Sequence, residues 1–118
     1  MNFYKEELLD HFKNPRNNGT LDNANIASGE HNPSCGDSIE IQGIIIDKNL
    51  QKVMFTGKGC VISQASASML TEFCTNKTVD EIKNLDNNFI TQLIGISFGP
   101  TRIKCALLAL VALHKAIK

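Results

Sequence analysis

The chain has 118 residues, 42% of them hydrophobic, with 12 Lys+Arg against 12 Asp+Glu and four cysteines. That suits one domain of ordinary size, spanning 1–118, with a core that needs no disulfides. Balanced charge gives no attraction to nucleic acid or to an anionic membrane, and no apolar run is long enough to span a bilayer.

Met1-Asn2-Phe3-Tyr4-Lys5-Glu6-Glu7 is too acidic and polar for a secretory or organelle signal, so a cytoplasmic location is expected. Asn2 to Phe12 is predicted helical, with Leu8, Leu9 and Phe12 on one face. Asn14-Pro15-Arg16-Asn17-Asn18-Gly19 ends that helix with turn formers. Leu21 to Pro33, polar and rich in Asn and Gly, reads as a loop with one short strand around Ala24 to Gly29. Ser38 to Gln42 alternates polar and apolar as a half-buried strand does; Gly43 marks a bulge and Ile44-Ile45-Ile46 continues. Asp47-Lys48-Asn49-Leu50 is a hairpin turn and Gln51 to Thr56 the returning strand, antiparallel because the connection is too short for a crossover.

Gly57-Lys58-Gly59 breaks the strand just before Cys60, and Val61 to Phe73 follows as a helix of mostly small residues. Thr78-Val79-Asp80-Glu81 fits a capping box opening a short helix to about Leu85. Phe89 to Ile94 is a further helical piece, and Gly99-Pro100 introduces the last helix, Thr101 to Ile117. Helix, strands, then helices give the α+β class: a small antiparallel β-sheet packed against several α-helices.

In a reducing cytosol the four cysteines are not expected to pair, which leaves metal binding, thiol chemistry or plain burial. Cys35 and Cys60 are separated by 24 residues, Cys60 and Cys105 by 44, so there is no paired-cysteine zinc spacing. Local context says more. Cys35 sits in the turn Asn32-Pro33-Ser34-Cys35-Gly36-Asp37, Cys60 at a glycine turn opening a helix, and Cys105 at the start of the helix after Gly99-Pro100. Element ends on a rigid scaffold are where sites are built. A helix N-terminus and neighbouring cations favour the thiolate, which binds metal and attacks sulfur; Lys58, Arg102 and Lys104 are placed to supply that charge.

Three thiolates and the Asp37 carboxylate fill a tetrahedral zinc site. Thiolates also hold iron–sulfur clusters, and an oxygen in place of one sulfur binds a soft centre less well, so Asp37 is expected to be a weak fourth ligand that keeps the centre releasable. The plainer alternatives are that Asp37 merely closes a turn and that the lysines are solvated. Cys74, mid-helix without a glycine turn, is read as a buried small apolar residue. His11, His31 and His114 are read as surface or partly buried, with only His31 kept as a weaker candidate ligand.

Three segments resemble the iron–sulfur cluster assembly scaffold family that includes IscU, SufU and the N-terminal domain of NifU. They are Pro33 to Asp37, Gly57 to Ser68, and Arg102-Ile103-Lys104-Cys105-Ala106, and Tyr4 to Asn18 resembles the family's opening helix and turn. The resemblance implies that Cys35, Asp37, Cys60 and Cys105 are the site. It also implies that a cysteine desulfurase delivers sulfur as a persulfide, that a transient [2Fe–2S] cluster is assembled and handed to apo iron–sulfur proteins, and that Zn2+ can occupy the same place.

Two departures stand out. IscU members carry His just before the third cysteine, where Lys104 stands here as in SufU- and NifU-like members. Phe98-Gly99-Pro100-Thr101-Arg102-Ile103-Lys104 replaces the Leu-Pro-Pro-Val-Lys stretch read by a specialised Hsp70-type chaperone, so the resemblance gives no support for that partner. SufU members have an insertion between the second and third cysteines that is not seen here. The chain thus mixes a SufU-like third motif with an IscU-like length. Scaffolding is the leading expectation, a zinc-dependent sulfurtransferase the second, and a structural zinc domain the last.

Overall fold

The computed structural model of the protein describes residues 3–33, 36–96 and 99–118. Its elements are α1 (Phe3–Lys13), β1 (Ile26–Asn32), β2 (Asp37–Ile46), β3 (Asn49–Lys58), α2 (Val61–Cys74), α3 (Val79–Lys83), α4 (Asn87–Ile94) and α5 (Pro100–Ala116). The strands form an antiparallel sheet in the order β1-β2-β3, and with the helices make an α+β architecture.

The β2–β3 hairpin turns on Asp47 and Lys48, both at positive φ (52° and 67°), the hand that matches strand twist in a two-residue connection. Its register shifts between Ile44 and Ile45 rather than at Gly43. Gly43 stays in the ladder, opposite Ile26 and Val53, because a side chain there would press on Leu50 and Ile26. β1 runs from Ile26 to Asn32, two to three residues further along the chain than the strand expected around Ala24 to Gly29, since its partner β2 supplies a ladder that the polar sequence does not advertise. The outer edge of β3 is closed by backbone from two loops: Phe55 bonds Asn17 and Gly19, and Leu50 bonds Asn76 and Lys77.

Ile39, Ile41, Leu50, Val53 and Phe55 turn one sheet face into the core, where α2 and α5 cover it. From Ala65 to Thr71 every α2 residue is buried, and the small side chains let strands and helices close in from several sides. α3 opens with the full Thr78–Glu81 capping box, and α4 is capped by Asp86 and ended by Gly95 in the left-handed region.

α1 buries Leu8 and His11, while Leu9 and Phe12 stay exposed, correcting the expected face. His11 is not a surface residue: its Nδ1 lies 2.7 Å from Ser68 Oγ, which also accepts the Arg16 backbone N–H at 2.8 Å. Burial holds its imidazole below the usual range, with the nearby Arg16 adding to the effect. Among the described residues no helix is long and apolar enough to cross a membrane.

Candidate metal centre

Asp37 is the first residue of β2, paired with Asn32 of β1, and its neighbour Ser38 pairs with Lys58 at the end of β3. One residue beyond β3, Gly59 takes φ 135°, and Cys60 follows as the N-cap of α2. The sheet register thus sets Asp37 against the chain turn that presents Cys60. Asp37 is 1% exposed and Cys60 half-buried.

Asp37 Oδ1 accepts the Cys60 backbone N–H at 2.8 Å, and the Cys60 thiol points to Asp37 Oδ2 at 3.4 Å. α2 has no side-chain cap of its own and no acid in its first turn. A carboxylate from β2 therefore stands where a helix N-terminus favours negative charge. Ser63, one turn on, donates to the Cys60 carbonyl at 3.2 Å and lies 4.0 Å from its sulfur.

α5 brings Cys105. Gly99 caps the helix and Pro100 opens it, so Cys105 falls in the second turn and not at the helix start as expected; the helix-end field acts on Cys60 and has faded at Cys105. Cys105 is 2% exposed. One ligand atom from each of Asp37, Cys60 and Cys105 lies within 4.8 Å of the other two. Sulfurs bound to one tetrahedral zinc at about 2.3 Å sit roughly 3.8 Å apart; the Cys60 sulfur and Asp37 Oδ2, at 3.4 Å, are already that close. Two soft sulfurs and one carboxylate oxygen fit zinc or an iron–sulfur centre and suit neither calcium nor magnesium.

Cys35, the fourth predicted residue, lies outside the described residues, as does Phe98 of the altered Phe98–Lys104 stretch. Lys58, Arg102 and Lys104 are exposed. His31 is exposed on β1 opposite Ser38 and is not in the donor group, and His114 is occupied with the Ile82 carbonyl at 2.9 Å. Cys74 is fully buried, and burial pushes its thiol up to about 12.

One contributor, Ser63, and the burial of another, Asp37, escaped the sequence reading. Ser63 was signalled by standing three residues after the N-cap. The depth of Asp37 was signalled by its alternation with Ile39 and Ile41, which places it on the inward face of β2.

The comparisons with known proteins agree on a single family. The family model described as the NifU-like N terminal domain matches residues 3–118. The chain is 35% identical to the zinc-dependent sulfurtransferase SufU of Bacillus subtilis, over 97% of this chain and 88% of that protein. It is also 35% identical to the iron–sulfur cluster assembly scaffold protein IscU of Escherichia coli, over 97% and 91%. Among solved structures, a candidate iron–sulfur cluster assembly scaffold protein for the SUF system from Fervidobacterium islandicum AW-1 superposes with a TM-score of 0.82 at 29% identity, covering 96% of this chain and 95% of that one. The N-terminal part of a NifU-like protein from Brucella abortus, at 19% identity and a TM-score of 0.79, shares the fold.

Proposed function

We propose, because the chain belongs to the family of NifU-like N-terminal domains, that it is a scaffold on which an iron–sulfur cluster is built and from which it is released. The cluster would be of the [2Fe–2S] type, assembled from iron and from persulfide sulfur delivered by a cysteine desulfurase in the cytoplasm, and passed to apo iron–sulfur proteins. The whole chain, 1–118, acts as one domain in this role, as a carrier and not as an enzyme that turns over.

The observation carrying this reading is the convergence of Asp37, Cys60 and Cys105 from three elements. Cys35 completes the set, and Lys58, Arg102 and Lys104 supply positive charge around it. Asp37 Oδ1 is held by the Cys60 N–H, so Oδ2 is the oxygen placed to meet the cargo. A single hard oxygen among sulfurs makes a weak contact to a soft centre, which favours hand-off over storage.

The alternative is a zinc-dependent sulfurtransferase, favoured by the SufU likeness. In it Cys35, Asp37, Cys60 and Cys105 would hold the zinc, which supplies Lewis acidity and keeps thiols deprotonated. One cysteine would then accept persulfide sulfur from the desulfurase.

Anaerobic reconstitution with iron, cysteine and desulfurase separates the two. A coloured cluster that moves to an apo-ferredoxin supports the scaffold; tightly held zinc, no cluster and a stimulated desulfurase support the transferase. Asp37→Ala sharpens the test: the variant should hold its cluster longer and donate it more slowly. An unchanged lifetime would remove Asp37 from the release step.

A further inference from the structure

We infer that Gly59 is a positioning residue of this site: its missing side chain is the seat in which the Asp37 carboxylate rests, and so it sets how readily the bound centre is released. The inference rests on the reading of Asp37 as the weak ligand. A methyl group built on the Gly59 α-carbon would overlap Asp37 Oδ1 and stand 2.6 Å from its Cγ and 2.9 Å from its Cα. Atoms do not share that space, so one side must move. The backbone of Asp37 cannot readily yield. It is paired with Asn32 across β1–β2, and the next residue, Ser38, is paired with Lys58 of β3. What swings most easily is the carboxylate, which relieves the overlaps with Oδ1 and Cγ but leaves the 2.9 Å approach to the Asp37 Cα to a small backbone shift; swinging it breaks the 2.8 Å bond to the Cys60 N–H and withdraws Oδ2 from the Cys60 sulfur. Gly59 also holds φ 135°, a conformation that side chains disfavour. A second effect of any substitution is therefore backbone strain, which the test must separate from the loss of the seat.

The separation uses Gly59→Ala, Asp37→Ala, the double variant and Asp37→Glu, each read in two ways. The first reading is the NMR shift of the Cys60 amide in metal-free protein, which reports the Asp37 bond without any cargo. The second is the lifetime of the anaerobically reconstituted cluster. The expected result is that Gly59→Ala moves the Cys60 amide in the same direction as Asp37→Ala and alters cluster lifetime by the same factor, within about twofold, with the double variant going no further than either single change. Asp37→Glu, one methylene longer, should not restore the wild-type amide position, because the seat has no room for it.

If Asp37→Ala changes the lifetime and Gly59→Ala changes neither readout, the inference is overturned while the role of Asp37 stands. If Asp37→Ala leaves the lifetime unchanged, the releasable-ligand reading fails and takes the link to release with it. A wild-type amide position and lifetime in Asp37→Glu overturn the seat. Should Gly59→Ala fail to fold, recovery of a folded spectrum in the double variant supports the clash with the carboxylate, and failure to recover assigns the effect to the backbone, through the φ of Gly59 or the approach to the Asp37 Cα, and overturns the inference.

Discussion

Helix α2 has one cysteine as its N-cap and another in its last turn. Cys60 is half-buried, with the Asp37 carboxylate on its N–H and facing its thiol, Ser63 beside it and Cys105 within reach. Cys74 is fully buried; Lys77 draws its thiol slightly down, and burial overrides that and pushes it up to about 12. Burial alone does not separate the cysteines, since Cys105 is nearly as deep as Cys74 and yet lies close to a carboxylate and a second sulfur. The difference lies in what else is brought to the same place: a strand end, a glycine turn and a helix terminus at one end, and side-chain packing at the other.

The largest expected effect breaks or keeps that contrast directly. Cys60→Ser should weaken zinc or cobalt binding by more than about 100-fold, whereas Cys74→Ala should leave affinity within about twofold, both read by competition with a chromophoric chelator. Equal loss in the two variants would erase the distinction between the ends.

The next sharpens it through alkali. The Cys74 thiol is raised in the folded state from 9.0 to about 12, so its contribution to stability is complete below pH 9 and is lost as pH climbs towards 12, where the unfolded chain ionises first. Denaturant titrations should show the unfolding free energy falling over that window by up to about 1.4 kcal/mol per pH unit, and Cys74→Ala should lack this component. A variant with the same alkaline limb as the wild type would place the ionisation elsewhere.

A smaller effect belongs to the middle of the helix, where Ser68 meets His11. Burial depresses the His11 imidazole below 6.5, so its share of stability is present above 6.5 and is lost as pH falls through the folded value, because the unfolded chain takes up the proton first. His11→Gln should therefore show a shallower fall in the urea midpoint on acidification than the wild type.

How far the sequence announced these features depends on whether their causes are local. The turn before Cys60 was legible because Gly57-Lys58-Gly59 interrupts a strand, and the Thr78 capping box because its partner Glu81 is three residues away. The convergence of Asp37, Cys60 and Cys105 was carried by family resemblance, since no local rule relates residues so far apart. The burial of His11 was invisible because Ser68, its partner, is 57 residues distant. The position of β1 was not legible because Ile26-Ala27-Ser28-Gly29-Glu30-His31-Asn32 is held by its ladder with β2 and by the Glu30–Lys115 ion pair from α5, both long-range. Asp37 was placed at the site but not in the interior; extending the β2 alternation one step back would have put it there.

The distribution of the donors along the chain has a consequence for biosynthesis. Asp37 and Cys60 belong to β2 and the cap of α2, but Cys105 belongs to α5, the last helix along the chain. A nascent polypeptide on the ribosome therefore cannot bring these three side chains together until α5 has emerged and packed, so a centre built on them, as proposed above, would form only after the helices around it are in place.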